Sequence, residues 1–164
     1  MSQSRHKRRV KTPKTPIRDS IKQDSKLQQQ ITDGLGAVAK AHHCYFIEKI
    51  RPLFSDSLNI DEAFRQGREQ ENRWDYLLGN KNNNKIIGVE PHSATNGEIT
   101  TVINKRKYAL RQLKDHIKDG RNVSKWLWVA SGTVKFMPLE KNILRLDQNG
   151  IKFVGKQIKA KDLD

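Results

Sequence analysis

Apolar residues along this chain gather in short runs of two different periods, and those periods sort it into strands and helices. Trp74 to Leu78 and Ile86 to Glu90 are compact apolar runs separated by the polar segment Gly-Asn-Lys-Asn-Asn-Asn. Short runs of aromatic and β-branched residues bounded by turn residues read as strands, so these two form a hairpin. Alternation along the first strand places Trp74, Tyr76 and Leu78 on one face and Asp75 and Leu77 on the other. A longer stretch follows in which Ile99, Val102, Ile103, Leu110, Leu113 and Ile117 form one helical stripe. It predicts a helix over 97–119, capped by Thr95 or Asn96, with Glu98 at its positive end and Gly120 at its exit.

The same periodicity predicts an earlier helix over 33–51. Asp33 caps it, Leu35, Val38, Ala39, His42, Phe46 and Ile50 form its apolar side, and Pro52 ends it. Residues 55–72 read as a loop leading into a short helix that Gly67 interrupts. Downstream, Lys125 to Ser131 is a buried strand in which Trp126 and Trp128 share a face, with 133–136 as a short partner strand. Pro138 then opens a helix whose Leu139, Ile143, Leu144 and Leu146 point inward, Gly150 closes it, and Ile151 to Val154 form a last strand. Helix, strands, helix, strands, helix, strand is the order of an α/β (α+β) fold: a small mixed central sheet flanked by helices. A chain of 164 residues accommodates one such domain.

Charge adds a partner to this picture. The formal net charge is +14 and the pI about 10.0, which favours polyanions, nucleic acid foremost among them. Half of that excess lies in residues 1–30, where 9 Lys or Arg face Asp19 and Asp24 for a net +7. Pro13 and Pro16 oppose a helix there and apolar residues are sparse. The expected division is therefore a flexible basic arm over 1–30 and a single domain over 31–164. Arg5, Lys7, Arg8, Arg9, Lys11 and Lys14 are the arm's candidate phosphate contacts. The lone Cys44 forms no internal disulfide and reads as a buried structural thiol. No apolar run approaches transmembrane length and the basic N-terminus lacks a following hydrophobic segment, so cytoplasmic residence is expected.

Two carboxylates then stand out. Asp75 and Glu90 each interrupt an apolar strand, and a buried carboxylate is unfavourable without a cation or hydrogen bonds. Pairing of the two strands brings them to one end of the sheet, where hard oxygen ligands suit a divalent cation. Pairing with Arg73, Arg106 or backbone donors is the structural alternative. His92 shares the face of Glu90 and has three open roles: metal ligand, proton carrier, or phosphate contact when protonated. Within the long helix, Arg106 falls in the apolar stripe while Lys105 and Lys107 flank it.

An Asp on one strand, Glu-Pro-His on the next and a helix after it resemble the PD-(D/E)XK nuclease superfamily, the restriction-endonuclease-like fold. The resemblance implies a restriction-endonuclease-like sheet, with Asp75 and Glu90 holding Mg²⁺ or Mn²⁺ and a lysine orienting the attacking water. His92 stands where the motif has lysine. The superfamily also places that lysine on the following helix, which implies Lys105. A preceding helix often adds an acidic residue, implying Glu48, although a surface carboxylate beside Lys49 and Arg51 is the preferred reading. Glu69 and Glu71 read as charge partners of nearby arginines, and adjacent His42 and His43 as structural. Walker-type glycine loops, zinc-ligand spacing and a nucleophile elbow are not seen in the sequence. The expected function is a metal-dependent nuclease-like protein hydrolysing phosphodiester bonds in DNA or RNA. A non-catalytic nucleic-acid binder on the same fold, and a basic protein-interaction module, are the alternatives.

Overall fold

The structure, a computed structural model, describes residues 12–135 and 139–164. One mixed sheet carries its strands in chain order: β1 (Thr32–Asp33), β2 (Phe54–Asn59), β3 (Tyr76–Asn80), β4 (Lys85–Ser93), β5 (Val123–Ser131) and β6 (Ile151–Phe153). Neighbours from β1 to β4 are antiparallel, while β5 runs parallel to β4 and β6 parallel to β5. Helices α1 (Pro16–Ser20), α2 (Ile60–Phe64), α3 (Ile99–Leu113) and α4 (Glu140–Gln148) complete the mixed α and β architecture expected from the order of elements. A parallel pair cannot be joined by a tight turn, and α3 supplies the crossover from β4 to β5.

The hairpin forms with Tyr76 opposite Val89 and Asn80 opposite Lys85, and its turn places Asn84 at φ 58. Asparagine accepts that left-handed conformation better than most residues. Two apolar layers sandwich the sheet. Ile17, Leu77, Val102, Trp126 and Trp128 belong to the layer beneath α3, and Phe46, Ile50, Tyr76, Leu78, Leu127 and Val129 to the opposite one. Gly88 is needed where it stands, because a Cβ there would come within 2.6 Å of the Trp126 ring lying across β4. Trp74 departs from the expected alternation: it precedes β3, turns to the α3 side and meets Trp126 edge-on at 5.0 Å and 88°.

Several expected elements are replaced. Over 33–51 there is no α-helix but β1 and two 3-10 turns, Lys40–Tyr45 and Glu48–Leu53. Phe46 instead forms a parallel bridge with Ile158, whose N–H donates to the Tyr45 carbonyl at 2.7 Å, so these backbone groups are unavailable to a helix. Residues 55–59, read as loop, lie in β2, with Asp56 and Ser57 fully buried. Asp56 Oδ2 accepts the Ile17 and Arg18 N–H groups at the start of α1, and Ser57 Oγ accepts from Ala37. Pro16 starts α1 rather than preventing it, as its missing N–H and fixed φ suit a first helical position.

Ile17, Ile21 and Leu27 are completely buried, so the folded domain begins before the boundary expected at residue 30. Arg5, Lys7, Arg8, Arg9 and Lys11 lie outside the described residues; Lys14 is exposed, its carbonyl accepting the Ser55 hydroxyl. α3 ends at Leu113 instead of 119, because Ile117 bridges to Ile21 and Lys118 N–H donates to the Ser20 carbonyl. Thr133 to Lys135 form no strand, and Phe136 and Pro138 lie outside the described residues. Leu146 packs inward from α4, but Leu139, Ile143 and Leu144 are exposed. Among the described residues no helix is long and apolar enough to cross a membrane.

Candidate active site

Glu90 is the centre of the site. It lies on β4 opposite Trp128, faces the α3 layer, and is 0 % exposed. Each of its oxygens has a partner supplied by a different element. Oε2 accepts the backbone N–H of Asp75 at 2.9 Å, a contact made by the residue that leads into β3. Oε1 contacts the Lys105 ammonium, which reaches down from α3, and lies 3.5 Å from His92 Nδ1. Hairpin register and the crossover helix therefore deliver Asp75, Glu90, His92 and Lys105 to one point. His92 is held in turn by Glu98, with Nε2 2.7 Å from Oε2, and by the Trp128 indole N–H, which donates to its carbonyl at 3.1 Å.

Asp75 is the unusual member. Among the described residues no hydrogen bond or ion pair reaches its carboxylate. Burial, with the nearby Glu90 charge second, pushes its pKa up to about 7; Lys105 and His92 oppose the shift, and Asp61 adds to it. A carboxyl held at this value is poised between charged and neutral forms at neutral pH. The hydrogen bond to Glu90, then that to Glu98, raises the His92 pKa against the opposing effect of burial. His92 in turn lowers the pKa of Glu98. The result is a chain of proton-holding groups, Glu98–His92–Glu90, capped by a lysine and flanked by a carboxylate that lacks a counter-ion.

Among the described residues no group of three or more His, Cys, Asp or Glu side chains is arranged to hold a metal. A closed protein cage is therefore absent from them. Mg²⁺ does not require one, since it commonly binds through one or two carboxylates and completes its shell with water and substrate oxygens. The half-buried Asp75 carboxylate, without a partner among the described residues and beside Glu90, fits that open kind of site. Lys105 presently supplies the positive charge at Glu90 Oε1.

Other candidates lie elsewhere. Arg106 does not meet either carboxylate: its guanidinium sits over the Trp126 ring at 5.6 Å, closely backed by Gly150. Glu48 is exposed on a 3-10 turn whose Ile50 packs in the layer opposite α3. Glu71 lies 3.7 Å from Arg68 and accepts the Gln112 amide, while Glu69 accepts the Gly67 N–H. His42 bonds the Tyr76 hydroxyl at 2.7 Å and His43 the Val38 carbonyl at 3.0 Å. Cys44 is exposed rather than buried, its thiol donating to the Ala41 carbonyl. Glu98 and Asp61 are the site neighbours that sequence reasoning missed. Glu98 reads in the sequence only as an acidic residue at a helix start, and nothing in its spacing from His92 marks the contact.

No family model, curated protein or solved structure matches this chain.

Proposed function

We propose that this protein is a metal-dependent, nuclease-like hydrolase of phosphodiester bonds in DNA or RNA, as its resemblance to the PD-(D/E)XK superfamily implies. The observation that carries the reading is the Asp75 carboxylate: half-buried, without a hydrogen-bond donor among the described residues, and set beside the fully buried Glu90. Glu90 is held by Lys105 and the Asp75 N–H, whereas packing supplies the Asp75 carboxylate with no partner among the described residues. Asp75 and Glu90 would hold Mg²⁺ or Mn²⁺, which supplies a water of lowered pKa and neutralises charge developing on phosphorus.

The chain's own groups do the rest. Lys105 neutralises Glu90 in the resting site and orients the attacking water or meets the scissile phosphate when substrate is bound. His92, whose pKa its contacts with Glu90 and Glu98 raise, can offer a proton at Nδ1 or Nε2 to the leaving oxygen. Arg5, Lys7, Arg8, Arg9, Lys11 and Lys14 add sequence-independent grip on the backbone. One observation favours the non-catalytic alternative, a nucleic-acid binder: Lys105 already satisfies Glu90, so charge balance there needs no metal.

Cleavage of labelled single-stranded DNA, duplex DNA and RNA with Mn²⁺ tests the proposal. Wild type is expected to cut at least one substrate, with Asp75→Ala and Glu90→Ala, both checked for folding, reduced to background. Salt-sensitive binding by all three proteins without cleavage would transfer the assignment to the binder. Unchanged cleavage in both variants would remove Asp75 and Glu90 from the chemistry.

A further inference from the structure

A second cationic site lies at the far end of α3. A cavity of about 460 Å³ opens between the last turns of that helix and the start of β5. Val123, which lines it, pairs with Ile86 at the start of β4, whereas Glu90 lies toward that strand's other end. From there the cavity runs to Trp126, which pairs with Gly88, so it adjoins the Glu90 site along the sheet but shares none of its side chains. Four cationic residues, Arg106, Lys114, Lys118 and Arg121, line the cavity against one acid, Asp119. Leu113, Ile117 and Trp126 give it an apolar wall. This volume lies within the range of roughly 300–1,000 Å³ typical of small-molecule sites.

Arg106 makes the cavity more than a solvated basic surface. Its Nε is buried and has no hydrogen-bond partner. Among the described residues its guanidinium forms no ion pair. Trp126 supports one side of it, and Gly150, at φ +68, allows the close backing: a Cβ there would lie 2.9 Å from Nη2. Lys114 and Lys118 likewise form no ion pairs among the described residues, and Arg121 Nε donates to Ser20 Oγ. A positioned guanidinium without an acceptor among the described residues, beside ammonium groups equally unpaired among them, is complementary to a multiply charged anion. Phosphate geometry matches the two parallel donors of such a group. The adjoining apolar wall suits a ring rather than water.

We propose that this cavity binds a nucleoside phosphate, its phosphate oxygens on Arg106 and the neighbouring lysines and its base against Leu113 and Ile117. The proposal stands apart from the hydrolytic reading of Asp75 and Glu90. The same chemistry is offered by a free nucleotide and by the terminal nucleotide of a strand.

Calorimetric titration of the full chain with ADP, in metal-free buffer at low salt, is the test. ADP is expected to bind, and Arg106→Gln and Lys114→Glu each to weaken it by about tenfold or more, as loss of a hydrogen bond to a charged group implies. Lys114 is exposed, so its variant retains the core even if Arg106→Gln disturbs Trp126. Asp75→Ala is expected to bind ADP as wild type does, which keeps this result independent of the other site. Adenosine and pyrophosphate are each expected to bind more weakly than ADP. A 5′-phosphorylated pentanucleotide binding tighter than ADP would identify a strand end as the source, and the reverse order a free nucleotide. Absence of ADP binding at millimolar concentration, or binding unchanged in both variants, would overturn the proposal. Pyrophosphate or adenosine binding as tightly as ADP would overturn it as well.

Discussion

Lys105 and Arg106 are consecutive cations on one helix, yet they face different problems. Lys105 falls on the side of α3 above the end of β4, where the fully buried Glu90 provides its counter-charge. Arg106, about 100° further round, falls above β5, where an indole face takes the place of a carboxylate. The lysine completes a charge cluster; the arginine has a stacking surface and, among the described residues, a buried Nε without a partner. The difference shows that position within a basic run says little about what each charge does. The neighbour supplied by the sheet decides it.

The largest effect expected at the carboxylate end comes from Asp75. Its pKa of about 7 lies above the ordinary carboxylate value of 3.8, so the folded state binds this proton more tightly than the unfolded chain does. Stability from this group is complete below the unfolded value and is lost as pH rises through about 7. Linkage puts the loss at about 4 kcal/mol. Urea unfolding in metal-free buffer should therefore show a decline between pH 4 and 8 that Asp75→Asn flattens. With 1 mM Mn²⁺ at pH 8, wild type should gain thermal stability and Asp75→Asn should not.

Lys105→Ala follows. Removing the Lys105 ammonium leaves the buried Glu90 carboxylate short of its counter-charge, a loss of about 3 kcal/mol in unfolding free energy at pH 7. Arg106→Ala breaks no ion pair among the described residues and is expected to cost about 1 kcal/mol, from the cation–π contact and the packing of its stem. Equal losses in the two variants would erase the distinction between them. Between these lies His92→Gln, at about 1.5 kcal/mol for hydrogen bonds to charged partners. Its raised pKa gives a sign opposite to that of Asp75: the contribution is full below the unfolded value near 6.5 and fades as pH rises through the folded one. The His92→Gln deficit should thus be measurable at pH 6 and small at pH 9.

The sequence made the middle of the chain legible because local chemistry there agrees with the final contacts. Period-two alternation around a polar turn specifies the hairpin, and a helical stripe after it specifies α3 and hence the crossover. Those elements suffice to bring Asp75, Glu90, His92 and Lys105 together. Elsewhere long-range backbone pairing overrides local preference. The helical stripe over 33–51 loses its backbone groups to Ile158 near the other end of the chain, and α3 stops early because Ile21 takes Ile117. β2 is hidden because its buried residues include Asp56 and Ser57, whose partners are the Ile17, Arg18 and Ala37 N–H groups distant in sequence.

What the sequence determined by itself was the set of elements with strong period and turn chemistry, and the excess of positive charge. The tertiary structure alone decided which cation meets which partner, that Glu98 holds His92, and that Ile17, Ile21 and Leu27 of the basic N-terminal stretch join the core. Periodicity is a property of neighbouring residues, whereas the burial of a charge depends on groups that only the folded sheet brings within hydrogen-bonding distance.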